Sequence, residues 1–292
     1  MDSTLIVTRF LFGALALVMF GLGLTLRVAD FRRLLQSPKA VGIALGLQVV
    51  CLPILCYAII RVFGLSPVFA IGLMLLAASP GGISANLFSH LFGGNVAMNI
   101  SLTAVNTLLS IVTLPLIANA SIAHFAQSGQ VVPIQTGKLI EVIAIVLVPV
   151  VLGMAAAARW PAFAARMEKP VKVFSALVLA VVSILSIAKE WNSIANTFAE
   201  IGPAVLVFNL VSLLSGYYVS RAAGLDKPMA TAVSYEIGIH NSTLAIFVAL
   251  SVLGSYTLAL PAAIYSVLMY ITAPLFGLLL LRRPAPVLAP SP

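Results

Sequence analysis

Glu236 is the residue whose setting points most directly to chemistry, because it is a carboxylate in an apolar stretch. No Asp, Glu, Lys or Arg occurs from Ile237 to Leu281, and Lys227 precedes Glu236 by nine residues. That distance is about 14 Å of helix at a rise of 1.5 Å per residue, which places the carboxylate near the middle of a membrane and not at its surface. A charge at the bilayer centre costs about 2.5–3.5 kcal/mol even on the lenient insertion scale, so such residues are usually functional. The placement predicts cation binding.

Two groups of polar residues accompany this carboxylate. Within 234–243 the sequence places Glu236, an imidazole, an amide and hydroxyls around Gly238. The second group is spaced by three or four residues, as on one face of a helix, and consists of Asn95, Asn99, Thr103, Asn106 and Ser110. Sodium is a hard cation, and hard cations prefer such oxygen ligands. The stripe is equally compatible with hydrogen bonds that join helices in a membrane.

A third polar segment, Ser79 to Asn86, contains Pro80-Gly81-Gly82 in the middle of an apolar run. Proline removes a backbone donor and glycine accepts non-helical dihedrals, so we expect the helix to break here. Inside a membrane, the freed backbone groups are tolerated only where they face protein or a water-filled cavity. A simple proline kink is the alternative.

The composition excludes a water-soluble protein. Of the 292 residues, 61% are apolar and 8% are charged, against roughly 25% charged residues in an ordinary soluble domain. The net charge of +8 is explained by basic residues that collect beside membrane segments, and no nucleic-acid partner is expected. An intramembrane enzyme is disfavoured, because Ser84 and His90 are six residues apart, roughly 200° around a helix, and the zinc-protease motif His-Glu-x-x-His is absent from the sequence.

Because a helix needs about 20 apolar residues to cross a bilayer, we predict an all-α polytopic membrane protein with about nine transmembrane helices. The predicted spans are 4–26, 39–61, 67–92, 94–119, 139–158, 170–188, 198–221, 227–253 and 258–281.

The basic residues predict the orientation of these spans. With the N-terminus outside, 12 of the 16 Lys and Arg residues lie on the inner side, as the positive-inside rule requires. Those 12 are Arg27, Arg32, Arg33, Lys39, Arg159, Arg166, Lys169, Lys172, Arg221, Lys227, Arg282 and Arg283. The C-terminus is therefore expected in the cytoplasm, and the proline-rich tail 284–292 is expected to be disordered.

The positions of the spans predict an inverted repeat. Spans one to four correspond to spans six to nine, and each pair runs in opposite directions, while the fifth span has no counterpart. The third and eighth spans, which carry Pro80-Gly81-Gly82 and Glu236, fall at matching places. Paired interrupted helices in such repeats indicate a binding site at the midplane.

The chain resembles the bile acid:sodium symporter family. The resemblance covers nearly the whole chain and is carried by several motifs in order. They are Met19-Phe20-Gly21-Leu22-Gly23-Leu24-Thr25-Leu26, Pro80-Gly81-Gly82 with Asn86, Gly94-Asn95-Val96-Ala97, and Glu236-Ile237-Gly238-Ile239-His240-Asn241-Ser242. It implies sodium-coupled symport of an organic anion across the inner membrane of a bacterium by alternating access.

The resemblance also implies a core domain, in which two broken helices cross, and a separate panel domain. The panel would contain 1–38 with the first helix and 131–190 with helices five and six. The core would contain 39–130 with the first broken helix 67–92, and 191–283 with the second broken helix 227–253. Bacterial relatives often have ten spans, so nine spans fit the loss of the first helix.

Two sodium sites follow from the same resemblance. The first would use Asn86, Asn99, Thr103 and Glu236, and the second Gln48, Glu236, His240 and the backbone carbonyls of Ile237 and Ile239. The chain departs from the family at Ala85, where a serine is common, at Asn99, where serine is often found, and at His240, where glutamine is often found. Because imidazole is a poor sodium ligand, the resemblance leaves open whether the protein binds one sodium ion or two. It also leaves open whether a proton at His240 replaces one of the sodium ions.

The organic anion is expected at the starts of the two half-helices that follow the breaks. Free N–H groups and the positive end of the helix dipole favour a carboxylate there. The candidate residues are Ile83, Ser84, Asn241 and Ser242, together with Tyr270 of the last helix. A bile acid and a small carboxylate are both compatible with them. A proton-coupled or passive transporter of weak acids, or a channel, is the alternative function.

Overall fold

The computed structural model describes residues 34–126, 136–167 and 191–280, with isolated positions between 13 and 32 and at 170, 173 and 174. Nine helices within these ranges are used below. They are α1 (Pro38–Phe63), α2 (Pro67–Ala78), α3 (Ile83–Leu91), α4 (Val96–Phe125), α5 (Thr136–Arg159), α6 (Trp191–Ala222), α7 (Lys227–Gly238), α8 (Ser242–Val252) and α9 (Tyr256–Leu280). The predicted first span (4–26) and sixth span (170–188), apart from isolated positions, and the tail 284–292 lie outside the described residues.

Four of the described helices are long and apolar enough to cross a membrane: α1, α4, Thr197–Ala222 within α6, and Tyr256–Leu279 within α9. Large apolar side chains point outward from them, and Val62 and Leu279 are 82% and 75% exposed. Such an apolar surface is unfavourable in water but not in lipid. The chain is therefore an all-α, multi-pass membrane protein.

Proline and short polar side chains set where the helices begin. Pro38, Pro67 and Pro228 occupy the first turns of α1, α2 and α7, where a missing N–H costs nothing. The Asn95 side chain accepts a hydrogen bond from the backbone N–H of Met98 (3.0 Å) and so caps α4. Capping is typically worth about 1 kcal/mol, which explains why α4 begins at this point.

Some helices exceed their predicted bounds. α4 continues to Phe125 although the fourth span was predicted to end at 119, and α6 begins at Trp191 although the seventh was predicted to begin at 198. Both contain an internal proline, Pro115 or Pro203. Polar residues at a helix end do not stop a helix; they mark where it leaves the hydrocarbon, so hydropathy underestimates its length.

Both predicted interruptions are present in the structure. α2 ends at Ala78, Ser79 is extended (ψ 145°), and α3 begins at Ile83. α7 ends at Gly238 and α8 begins at Ser242, where the Asn241 side chain accepts from the N–H of Leu244 (3.1 Å).

The two interruptions meet each other through a reciprocal pair of backbone hydrogen bonds. The N–H of Gly82 donates to the carbonyl of Ile239 (2.7 Å), and the N–H of Asn241 donates to the carbonyl of Pro80 (2.8 Å). The freed backbone groups of one break thus satisfy those of the other, which is how irregular backbone persists at membrane depth. We call the segments 79–82 and 239–241 the crossing.

The two halves of the described chain have the same spacing of helix starts. α2 and α7 each contain 12 residues. The starts of α2 and α7, of α3 and α8, and of α4 and α9 lie 159 or 160 residues apart. Glycines with positive φ precede α2 and α7, Gly64 at 61° and Gly224 at 83°. A glycine with positive φ before the broken helix, like the spacing of the helix starts, therefore recurs in each half.

A second, smaller apolar cluster lies beside the main core, which itself includes Met19, Leu26 and Val150. A Cβ on Gly23 would lie 2.2 Å from the carbonyl oxygen of Val150, and one on Gly153 would lie 2.3 Å from that of Phe20. Glycine therefore lets the segment near residue 23 approach α5 closely, as small residues do between membrane helices. Leu24 and Ala164 form the centre of this small cluster.

Candidate functional site

α4 and α7 run side by side in one register and form a polar seam. Contacts recur every fourth residue with a constant offset of 133 residues along the chain. They are Asn95 N to Pro228 O at 2.9 Å, Asn99 Nδ2 to Ala232 O at 2.7 Å, and Thr103 Oγ1 to Glu236 Oε2 at 2.5 Å. Both helices therefore begin on the same side, and the seam leads from their starts to the carboxylate.

The Glu236 carboxylate is fully buried and is held by neutral donors. Thr103 donates to one oxygen, and Asn106 Nδ2 donates to the other at 2.8 Å. The backbone of Gly81 lies against it, since a Cβ on Gly81 would be 2.4 Å from Oε1. These partners orient the carboxylate at the crossing but bring no positive charge to it.

Several polar atoms on the helices around the crossing are buried and have no hydrogen-bond partner among the described residues. They are Gln48 Oε1, Asn86 Oδ1, Asn99 Oδ1, Asn106 Oδ1, Ser242 Oγ and His240 Nε2. Buried polar atoms in native proteins are nearly always paired. Asn106 Oδ1 belongs to the amide that donates to the Glu236 carboxylate, and an amide oxygen beside a carboxylate matches the donor set that a hard cation requires. The residues present therefore fit sodium.

The residues of the predicted first site are only partly brought together. Asn99 and Thr103 lie on the seam, and Thr103 joins Asn99 to Glu236 because its hydroxyl is 3.0 Å from the Asn99 carbonyl. Asn86 lies one turn after the first break, on α3, with its side-chain oxygen buried. It has no hydrogen bond to the seam within the described ranges.

Gln48 and His240, predicted for the second site, meet at the Ser79 carbonyl. Gln48 Nε2 donates to it at 3.0 Å, and His240 Nδ1 lies 3.2 Å from it. A carbonyl only accepts, so Nδ1 carries a proton. Nε2 of the neutral ring is then an acceptor, and it has no partner within the described part of the chain. The Ile239 carbonyl, another predicted ligand, accepts from Gly82, while Ile237 is fully buried beside Glu236.

Two of the predicted anion-binding residues touch each other. The Ser84 hydroxyl lies 2.7 Å from the Tyr270 hydroxyl, and Tyr270 is 45% exposed. Ile83 and Ser242 are the first residues of α3 and α8, and the Ser242 hydroxyl is buried without a partner in the described part of the chain. Asn241 caps α8.

The profile of the Sodium Bile acid symporter family matches residues 13–197, more than half of the chain. The chain belongs to this family. It is similar to the probable sodium/metabolite cotransporter BASS2, chloroplastic, of Oryza sativa subsp. japonica, with 27% identity over 87% of this chain and 60% of the relative. It is also similar to the uncharacterized sodium-dependent transporter YocS of Bacillus subtilis (strain 168), with 28% identity over 87% of this chain and 77% of the relative.

A third relative is the probable sodium/metabolite cotransporter BASS1, chloroplastic, of Arabidopsis thaliana, with 28% identity over 87% of this chain and 62% of the relative. The chain thus spans about three fifths of the length of the two chloroplast proteins. The family and these relatives are named as transporters and not as enzymes.

For this family member, sequence reasoning missed the roles of two asparagines. Asn106 was placed on the polar stripe but not among the cation ligands, and it hydrogen-bonds the carboxylate directly. Asn209 was not singled out, although its side chain is fully buried and binds the Gly238 carbonyl at 3.0 Å. An amide in the apolar run 198–221 was the available signal, since buried polar groups in membranes are costly.

Proposed function

We propose that this protein is a secondary transporter that couples the movement of an organic anion to a sodium gradient. The buried Glu236 carboxylate carries this proposal, because it lies at the crossing beside unpaired amide oxygens. Its neutral partners leave its negative charge uncompensated, and a buried charge is costly unless it is paired. A monovalent cation at this point removes that cost.

The first sodium site is formed by Glu236, Asn99, Thr103 and Asn86, as the family resemblance implies. Asn106 joins this group because it holds one carboxylate oxygen. Sodium supplies a positive charge there, and the protein residues orient the carboxylate and exclude water. The second site, around Gln48 and His240, contains an unpaired amide oxygen and an imidazole nitrogen.

The organic anion binds beside the crossing, at the starts of α3 and α8. Their first N–H groups and dipoles favour a carboxylate, and the Ser84 and Tyr270 hydroxyls, which now bond each other, can both donate to it. Anion and sodium favour each other's binding because the same crossing segments position both sites. A bile acid and a small carboxylate both meet this requirement.

Alternating access follows from a core that moves against a panel. We assign 39–130 and 191–283 to the core and 1–38 and 131–190 to the panel. The close packing of Gly23 against α5, two segments that this assignment places in the same domain, supports the division. The matched starts of α2–α4 and α7–α9 support the inverted repeat, in which such a motion exposes the crossing to each side in turn.

The proposed orientation in a bacterial inner membrane has the N-terminus outside and the C-terminus in the cytoplasm. This orientation requires α4 and α7 to begin on the same side of the membrane. The contact between Asn95 and Pro228, which lie at the starts of these two helices, meets that requirement. It also requires α1 and α4 to end together on the other side. Tyr57 and His124 lie near the ends of these helices, and the Tyr57 hydroxyl is 3.1 Å from His124 Nε2. The positive-inside rule then decides which side is cytoplasmic.

The test is uptake by the purified protein reconstituted in liposomes. Radiolabelled taurocholate and pyruvate serve as the two probes, one for each substrate class. With an inward sodium gradient we expect at least one of them to accumulate above its external concentration, and replacement of sodium by choline should abolish accumulation. A passive weak-acid transporter or channel would only equilibrate the anion, which would refute symport.

The number of sodium ions is tested by His240→Gln. Because the free acceptor at His240 is a nitrogen, we expect wild-type uptake to show a sodium Hill coefficient of about 1, the limit for one site. Glutamine restores an oxygen ligand beside Gln48, and the coefficient is expected to rise above 1. An unchanged coefficient in the variant would show that His240 does not decide the stoichiometry. Wild-type uptake driven by a pH gradient alone would favour proton coupling.

A further inference from the structure

At each break, the backbone carbonyl at the end of the first half-helix accepts two side-chain hydrogen bonds. The Ser79 carbonyl, after α2, accepts from Gln48 and His240. The Gly238 carbonyl, at the end of α7, accepts from Asn209 Nδ2 at 3.0 Å and from the Tyr265 hydroxyl at 2.7 Å. A carbonyl oxygen has two lone pairs, so both oxygens are saturated and neither is open to a cation.

The side chains that donate to the two carbonyls differ in whether their own polar atoms are all paired. Gln48 and His240 each keep a buried atom without a partner among the described residues. At the second break the donors are complete, because the Thr272 hydroxyl bonds Asn209 Oδ1. That hydroxyl also lies 2.9 Å from the Leu268 carbonyl. Both neighbours can only accept, and the Asn209 contact is the shorter of the two, so the Thr272 proton is directed to Oδ1.

We propose that Asn209 and Tyr265 are positioning residues of the cation site, and that Thr272 fixes the amide of Asn209 in the orientation that donates to Gly238. We call these three residues the second-break anchor. The inference rests on the proposed function, since it assigns the anchor a role in sodium binding. None of the three was predicted to contact sodium, and they come from α6 and α9, which hold none of the predicted sodium ligands.

The anchor acts through the backbone of the crossing. Fixing the Gly238 carbonyl fixes the peptide that leads into Ile239, whose own carbonyl accepts from Gly82 at 2.7 Å. Gly81, the neighbour of Gly82, lies against the Glu236 carboxylate. The anchor therefore orders the crossing before a cation arrives. Without it, part of the binding free energy of sodium would go into ordering this segment, as for any site that is not preorganised.

The test compares two tyrosines that differ in what their hydroxyls hold. Tyr265→Phe removes the donor to Gly238. Tyr235→Phe is the matched control, because Tyr235 is equally buried and its hydroxyl donates at 3.1 Å to the Ala273 carbonyl, away from the break. Sodium chloride is titrated into each purified full-length protein at constant ionic strength with choline chloride, and binding is followed by thermal shift.

For Tyr265→Phe we expect the half-saturating sodium concentration to rise by about fivefold or more, the usual lower range of coupling between sites. For Tyr235→Phe we expect it to stay within about twofold of the wild-type value, although both variants lose a buried hydrogen bond of similar worth. A merely structural role would lower the melting temperature without sodium in both variants and leave the sodium constants equal, which would overturn the proposal.

Thr272→Val provides a second variant that keeps side-chain volume and removes only the hydroxyl. It is expected to weaken sodium binding in the same direction, and a double variant with Tyr265→Phe should show less than the product of the two effects, because both act on one carbonyl. If Tyr265→Phe does not fold, equal sodium constants for Thr272→Val and wild type overturn the anchor. A wild-type protein without any sodium response refutes the proposed function and the anchor with it.

Discussion

Glu236→Gln is expected to abolish sodium-driven uptake while the protein still folds. The variant removes the negative charge and changes almost nothing in size. A cation 4 Å from a carboxylate gains about 4 kcal/mol at an effective dielectric constant of 20, which corresponds to sodium affinity lower by on the order of a thousandfold. Sodium titration by thermal shift and liposome uptake measure the two consequences.

The hydrogen bonds around Glu236 explain why folding should survive. In the variant, Asn106 Nδ2 can still donate to the amide oxygen. The new amide nitrogen can donate to the Thr103 hydroxyl, whose proton then turns to the Asn99 carbonyl, 3.0 Å away. Both side-chain partners of the carboxylate are thus kept. We expect the melting temperature without sodium to be unchanged or higher, because a buried charge is removed.

Glu200→Gln is the matched control, since Glu200 lies on α6 and is exposed. It should transport at the wild-type rate. Glu236→Asp keeps the charge but withdraws it by one methylene, so it should retain sodium dependence with weaker affinity. Sodium-dependent accumulation by Glu236→Gln at the wild-type rate would contradict the assignment of the cation site.

The sequence was sufficient to predict the two breaks but not the contacts made at them. Pro80, Gly81 and Gly82 are local signals, and local signals can be read without the fold. The second break has no proline. Its prediction depended on Gly238 and on the polar residues around it, and the structure ends α7 at Gly238.

The partners of Glu236 could not be predicted from spacing, because they depend on how α4 is aligned with α7. The stripe from Asn95 to Ser110 shows only that its members share a face. With an offset of 133 residues between the two helices, Thr103 and Asn106 donate to the Glu236 carboxylate, and the Asn99 amide donates to the Ala232 carbonyl. That register is set by tertiary packing, which no single helix encodes.

The second-break anchor shows the same limit over a longer distance. Asn209 and Tyr265 come from two helices and meet at a carbonyl of a third, and Thr272 acts on the same carbonyl through Asn209. Each residue alone reads as an ordinary polar residue in a membrane helix. Only the three-dimensional structure shows that they act on one atom, and that Gln48 and His240 do so at the other break.

Gly81→Ala is expected to disable transport by separating the two breaks. Gly81 is not among the described glycines with positive φ, so its backbone conformation would accept alanine and the effect is steric. The added Cβ would lie 2.4 Å from Glu236 Oε1 and 2.7 Å from the Glu236 carbonyl oxygen. The second of these is backbone and cannot turn away.

The crossing must therefore widen, and its two backbone hydrogen bonds at 2.7 and 2.8 Å must lengthen. Overpacking of this kind costs about 1–3 kcal/mol. We expect a lower melting temperature and a loss of sodium affinity between about fivefold and about a hundredfold, since 1.4 kcal/mol is tenfold. Gly42→Ala is the control, because a Cβ there meets nothing within 4 Å, and it should behave as wild type. If Gly81→Ala binds sodium as tightly as Gly42→Ala, close contact between Gly81 and Glu236 is not needed for the cation site, and the crossing has more freedom than its hydrogen bonds indicate.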